Sequence, residues 1–381
     1  MAARAQQVEA RAYELDQQSK HSDQFIKAVQ MMTDASSTPD GRAGGIYSLE
    51  QLGLASSDNR GPIVETLTAY IRTHSKRPAS APTSPPDQPT TDIQAAISVL
   101  ARNSWASRAQ ALDLTGVDLR AADLRRAKLQ RATLIRALFA DADLTGADLT
   151  GANLAGADFR GRTKLTQTTM KDAILVGAHM ESIDASGLSG LDVDQLAAVS
   201  TSPQTILPSY VQQPTPPPPP PPGESVTIST PSAGGEVSIT PEIAGSWMGI
   251  DTDTTLWMIT QFAVDQNTAL SYPQGVSFPN YRNGLNRQSD GSWCTERGYV
   301  GAGADTGKEF TILVVGVNKS ADDFFRKYLE LGPRIGFPAL RYLPSGTTVY
   351  ASVAVKRSST NLSAAAQYEA EQEQAAACPH S

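Results

Sequence analysis

From Leu112 onward a large apolar residue returns at every fifth position: Leu114, Leu119, Leu124, Leu129, Leu134, Phe139, Leu144, Leu149, Leu154 and Phe159. Two residues before each stands a smaller apolar one: Leu112, Val117, then alanine in steps of five from Ala122 to Ala157. After one inserted residue near Gly161 the rhythm resumes at Leu165, Met170, Leu175 and Met180, about fourteen repeats in all. A period of five fits neither a helix at ~3.6 residues per turn nor a flat strand at ~2. A continuous helix would sweep the apolar positions around all its sides, and the recurring Asp and Gly would weaken it. The pattern suits a chain that turns a corner every five residues, with both apolar positions pointing into a narrow shaft and the polar residues pointing out.

This A-(D/N)-L-x-x rhythm resembles the pentapeptide-repeat family. The resemblance implies a right-handed quadrilateral β-helix with four repeats to a coil, the coils stacking at about 4.8 Å. Fourteen repeats then make three and a half coils, roughly 17 Å of shaft. In that register Phe139 and Phe159, twenty residues apart, stack on one face. Three flanking stretches, Gly44 to Glu50, Val64 to Arg72 and Ile93 to Arg102, look like a helical module that precedes the repeats in many bacterial members. Members of that kind often carry transmembrane helices upstream. Gln195 to Ala198 followed by Leu207-Pro208 is similar to a common tail after the last coil. An open β-helix exposes strand edges and an apolar shaft end. A helix from Asp92, read as its cap, to Asn103, together with Trp105, is expected to cover the first coil. A short helix over 192–199 is expected to cover the last.

Proline divides the rest of the chain. Five prolines fall between Pro78 and Pro89 and ten between Pro203 and Pro222, in stretches with neither helical nor strand periodicity. The seven consecutive prolines Pro216 to Pro222 read as a stiff polyproline II spacer of roughly 22 Å. The expected organisation is a helical module at 1–77, a Pro-rich linker at 78–91, a capping helix at 92–110, and the repeat β-helix with its C-terminal cap at 111–202. A polyproline linker at 203–223, a β-sandwich-like domain at 224–357 and a tail at 358–381 follow. In the helical module, Leu15, Phe25, Ile26 and Val29, then Ile46, Leu49 and Leu52, then Ile63, Leu67, Tyr70 and Ile71 form apolar stripes. Such short helices must bury those faces against each other. Beyond the second linker, alternating runs at 225–229, 256–264, 292–300, 310–317 and 347–355, with turns at Asn283-Gly284 and Asp290-Gly291, predict an antiparallel β-sandwich holding one helix at 320–331. The stretch from Leu256 to Gly301 resembles an all-β domain of some actinobacterial and cyanobacterial proteins, one to which no activity attaches.

Chemistry is sparse. Gly301, Gly303 and Gly307 open no helix, so the geometry of a phosphate loop is missing. Asp251 and Asp253 lack the rest of a calcium loop. Cys294, one of two cysteines with Cys378, reads as a buried structural thiol with no base nearby in sequence. His179 reads as a surface residue of the repeat. No catalytic, cofactor-binding or metal-binding set is expected, and the chain reads as non-enzymatic.

Charge narrows the partners. The chain carries 39 acids against 32 bases, a formal net charge of −7, too acidic for nucleic-acid binding through bulk charge. Some pentapeptide-repeat proteins mimic DNA with an acidic shaft and bind DNA gyrase. Residues 111–182 here hold nine acids and ten bases, whereas a duplex presents roughly ten negative charges over ~17 Å. The bases cluster early: Arg126, Arg131 and Arg136 occupy one corner position in three successive repeats, the candidate interaction residues for an acidic partner. The longest apolar run, about eight residues from Phe310 to Val317, is too short for a bilayer span, and the polar start shows no signal peptide. The expectation is a cytoplasmic scaffold or interaction module with an unidentified protein partner. Gyrase mimicry, activity in the C-terminal β-domain and peripheral membrane association are the alternatives.

Overall fold

The computed structural model describes residues 2–78, 88–103, 105, 112–212, 214–238, 241, 243–251, 253–263, 269–274, 285–294, 300 and 305–358. The first linker's centre (79–87), the Asn283-Gly284 turn, the Gly301–Gly303 loop, the side chain of Leu15 and the tail beyond 358 lie outside the described residues. Contacts divide the chain into two units: 1–192 with 200–211, and 193–199 with 212–381.

The first unit opens with four helices, α1 (Ala2–Thr33), α2 (Pro39–Ala55), α3 (Arg60–His74) and α4 (Thr91–Arg102). Thr38 starts α2 by accepting the Gly41 N–H on its hydroxyl. Ile46, Leu49, Ile63, Leu67, Ile71, Ile97 and Leu100 are buried, as the helical spacing predicts. On α1 the buried face is Ala28 and Met32, while Ile26 is exposed. The reason is Gly45: a Cβ there would stand 2.6 Å from the Ala28 carbonyl oxygen, so α1 and α2 touch backbone to backbone. Asp92 does not cap α4. Thr90 holds the cap position, and the Asp92 carboxylate is buried among three elements, accepting from Arg42 Nε at 2.7 Å and the Tyr70 hydroxyl at 2.5 Å. Burial alone raises its pKa. Hydrogen bonds from Thr90, Tyr70, Arg42 and the Ile93 amide outweigh that and hold the carboxyl at about 2. Trp105 lies over Gly53 of α2, where only a glycine leaves room for its ring.

The repeats form stacked coils. Bridges join residues twenty apart, Asp113 with Thr133, Asp118 with Leu138, Asp123 with Asp143 and Lys128 with Asp148, all parallel. Each coil is four repeats. The interior alternates large and small residues, all fully buried from Leu119 to Phe159 at the inward positions. The Phe139 and Phe159 rings stack with centroids 4.9 Å apart and planes at 6°. Asp or Asn before the large residue folds the corner, its carboxylate or amide oxygen accepting the N–H two residues on, as in Asp113 to Thr115, Asp143 to Thr145 and Asn153 to Ala155. Two residues after the large residue the backbone enters the left-handed region, where Gly116, Gly146, Gly151 and Gly156 sit.

Both ends of the stack are satisfied. First-coil N–H groups that would pair with a preceding coil find the helices instead: Asp118 donates to the Ser75 carbonyl, Asp123 to Gln94 Oε1 and Lys128 to the Ala101 carbonyl, at 2.7, 3.0 and 2.7 Å. At the other end Ile206 pairs with Asp184, so the ladder runs beyond Pro203. The Tyr210 hydroxyl accepts from the Leu191 N–H and donates to the Leu188 carbonyl. In place of the expected helix over 192–199 there is a single 3-10 turn, Asp194–Leu196, which belongs to the second unit.

The second unit is built on two sheets. One has strand order β1 (Ser225–Thr230), β3 (Ala244–Met248), β7 (Ser292–Cys294), β6 (Asn286–Arg287). The other runs β2 (Glu236–Val237), β9 (Thr347–Arg357), β8 (Glu309–Val317), β4 (Thr255–Ala263), β5 (Ala269–Gln274). One hydrophobic cluster draws Val226 and Trp293 from the first sheet and Met258, Ile312, Val314 and Val353 from the second. Among the described strands the pairing departs from the antiparallel expectation once, where β2 runs parallel to β9. Helix α5 (Lys319–Ile335) is longer than 320–331. It is fixed to β4 by Trp257, whose Nε1 donates to Asp322 at 2.8 Å and whose ring lies 5.3 Å from that of Phe325. Cys294 is disulfide-bonded, so the free-thiol reading is corrected.

Candidate interaction surface

The outward side chains of the shaft fall into two electrostatic classes. In three repeats an arginine two residues after the aspartate returns to clamp it: Arg120 on Asp118, Arg125 on Asp123 and Arg160 on Asp158, each through Nε and Nη2 at 2.6–2.9 Å. These brackets neutralise themselves. The Arg125 hydrogen bond draws the Asp123 carboxyl below the usual range. At Asp158 burial opposes, and the Arg160 contact still carries the net shift downward. Lys164 pairs with Asp143 at 3.0 Å, and Arg72 of α3 with Asp113 at 2.6 Å.

Arg126, Arg131 and Arg136 belong to the other class. They occupy the corner position, with φ of 55°, 59° and 59°, where other repeats place glycine or, at Ala121, Asp141, Gln167, Asp172 and Ser182, another residue. A side chain in that conformation costs roughly 1–2 kcal/mol. All three are exposed, and no ion pair or side-chain hydrogen bond engages their guanidinium groups among the described residues. Their stems have a packing role: Arg126 Cγ lies over Gly146, and Arg131 Cγ over Gly151, in the next coil. Lys128 stands exposed between them. The three arginines sit on successive corners, Arg126 and Arg131 in the first coil and Arg136 one coil on from Gly116, so they form a belt around the shaft rather than converging on one point.

Arg77, which nothing in the repeat pattern marks, adds to one end of the belt. It follows α3 and donates from Nη1 to the Arg136 carbonyl at 2.9 Å. Burial pushes its guanidinium pKa down, and the nearby charge of Arg136 adds to that. The other singled-out residues are local. His179 Nδ1 lies 3.3 Å from Glu181 Oε1, and Asp251 accepts the Asp253 N–H in a tight turn. Among the described residues no three His, Cys, Asp or Glu side chains converge on a metal-sized site. Nor is any helix long and apolar enough to cross a membrane.

Coils of four five-residue repeats, inward Leu and Phe, and Asx-folded corners define a stacked-coil repeat protein. The model for pentapeptide repeats matches eight copies over residues 109–141 and 122–161, so this stretch of the chain is built of pentapeptide repeats. No curated relative matches the chain. Similar solved structures include a pentapeptide repeat protein from the Arabidopsis thaliana thylakoid lumen, 22% identical over 27% of this chain and 68% of that one, with TM-score 0.20. Another, from the cyanobacterium Cyanothece 51142, is 24% identical over 25% of this chain and 60% of its own, with TM-score 0.15. HetL, a pentapeptide repeat protein involved in heterocyst differentiation regulation in Nostoc sp. strain PCC 7120, is 26% identical over 26% of this chain and 48% of its own, with TM-score 0.19. The chain thus spans between about half and two thirds of their lengths.

Proposed function

We propose that the protein is a non-enzymatic interaction scaffold whose right-handed, four-sided β-helix engages an acidic protein partner through the belt of Arg126, Arg131 and Arg136, and whose second unit is a β-sandwich serving a separate contact. The observation that carries this reading is the belt: three unpaired guanidinium groups held on strained corner backbone, on a shaft where Arg120, Arg125 and Arg160 are neutralised in place by the aspartates two residues before them. Unpaired surface cations steer an anionic partner and cost little desolvation until contact. The self-neutralising brackets also argue against a duplex mimic, which needs sustained negative potential. The disulfide at Cys294 favours an oxidising compartment over the cytoplasm expected from the sequence.

Affinity capture from an extract of the source organism, with the full chain immobilised, tests the reading. The triple variant Arg126→Gly, Arg131→Gly, Arg136→Gly suits the left-handed corners and keeps the fold. A protein captured by the wild type and by Arg120→Ala, and lost with the triple variant, supports the belt. Identical capture by wild type and triple variant overturns it.

A further inference from the structure

Along β9 the inward positions are Val353, Val355 and Arg357, alternating with exposed Ala354 and Lys356. The first two join the hydrophobic cluster between the sheets. Arg357 continues that line to the end of the strand, and it is only 2% exposed. Its backbone is tied on both sides, donating to the Lys308 carbonyl and accepting from the Gly307 N–H. Its guanidinium is far less well served. Nη1 reaches the Val237 and Ser358 carbonyls at 3.4 and 3.3 Å, both at the long limit, and Nε has no partner. Among the described residues no carboxylate lies within ion-pair distance of it. Lys308 comes from the adjoining turn, with Nζ on Asp305 and 5.3 Å above the Phe262 ring.

A buried cation without an anion is costly, and guanidinium groups buried in proteins are paired as a rule. The planar fork of Nε and Nη matches the two oxygens of a carboxylate or phosphate. Val237 and Ser358 offer only carbonyl acceptors to Nη1, and Nε is buried with no acceptor at all. We propose that the end of the second unit where β2, β9 and the 305–308 turn meet is an oxyanion site, with Arg357 as the residue that holds a carboxylate or phosphate group. The anion is either a free small molecule or a carboxylate of this chain. Glu369, Glu371 and Glu373 follow β9 in the sequence.

The test is thermal unfolding of the full chain, followed by the fluorescence of Trp247, Trp257 and Trp293, which all lie in this unit. Sodium phosphate and sodium acetate are compared with sodium chloride at matched ionic strength. Binding to the folded state raises the melting temperature with ligand concentration. The expected result is a rise of several degrees with an oxyanion, absent in chloride, abolished in Arg357→Met and retained in Lys356→Met. Arg357→Met without added anion should melt no lower than wild type, because it removes an uncompensated buried charge. If the chain's own carboxylates fill the site, wild type does not respond, and the triple variant Glu369→Gln, Glu371→Gln, Glu373→Gln does. No response in either protein, or an equal response in Arg357→Met, overturns the proposal.

Discussion

Truncating Phe139 and Phe159 tests the coil at its most constrained point. Both rings are fully buried, with centroids 4.9 Å apart and planes 6° from parallel. Phe→Ala deletes the ring and leaves roughly 75 Å³ of void if nothing moves, or about 2 kcal/mol at ~24 cal/mol per Å³. The lost transfer energy adds about 1.5–3 kcal/mol. The neighbours cannot collapse inward, because every inward residue is fixed by coil-to-coil hydrogen bonds such as Phe139 N–H to the Asp158 carbonyl at 2.7 Å and Phe159 N–H to the His179 carbonyl at 2.9 Å. Each truncation should therefore cost about 3–5 kcal/mol. The second should cost about 0.5–1.5 kcal/mol less once the first is made, since the stacking term is lost only once. Phe139→Leu should be mild, as leucine fills this position in the neighbouring repeats Leu134 and Leu144. Thr145→Ala and Thr150→Ala, at outward corners, should stay within about 0.5 kcal/mol. Hydrogen exchange across 112–206 in the full chain reads the local stability coil by coil. Additive and small costs for the two truncations would refute the interior contact and the twenty-residue register with it.

Three more outcomes follow from the described contacts. The Asp92 carboxyl, at about 2 in the folded chain against ~3.9 unfolded, contributes stability that is complete above pH ~4–5 and is lost as the pH falls toward 2; Asp92→Asn should flatten that limb in far-UV circular dichroism and lower stability at neutral pH. Gly45→Ala places a methyl 2.6 Å from the Ala28 carbonyl and 2.9 Å from the Met32 nitrogen, so α1 should part from α2 at a cost of about 1–3 kcal/mol, visible as faster proteolysis within α1. Tyr210→Phe removes both hydrogen bonds that close the last coil and should cost about 1–3 kcal/mol, with exchange accelerated at 185–191 and unchanged at 114–129.

The repeat was legible because a five-residue period admits so few folds, and because Phe139 and Phe159 had to coincide if four repeats closed a coil. Other features were hidden for stated reasons. An aspartate ahead of an apolar run looks the same whether it caps a helix or lies buried, and the partners of Asp92 stand 50 and 22 residues away. The sequence places Arg126, Arg131 and Arg136 on a corner but does not show that the corner is left-handed, since glycine and arginine share it. Strand β3 escaped notice because Gly245 weakens its β character. That glycine is required where the chain runs under Trp293 and within touch of the Thr227 carbonyl. Strand β5 carries Pro273, which is tolerated because β5 lies at the sheet edge. Arg357 reads as an ordinary strand-end cation, and only the alternation with Val353 and Val355 turns it inward.

The single extra residue near Gly161 sets a rule for how this shaft can change length. Ahead of it partners stand twenty apart. Across it they stand twenty-one apart, Asp143 with Lys164, Asp148 with Thr169 and Asn153 with Ile174, and Leu165 and Met170 remain buried. The corner absorbs the residue at Gly161, φ 89°, while Asp141 accepts the Arg162 N–H and the Thr163 hydroxyl fastens the chain to the Phe139 carbonyl. Along a straight run the same insertion would turn every later leucine to solvent and every later aspartate inward. Length in this molecule therefore comes in whole faces of five, with free increments allowed only where the chain bends. A peptide tag spliced between Gly161 and Arg162 should leave the stack folded, and the same tag between Asp148 and Leu149, in the middle of a face, should unravel all that follows.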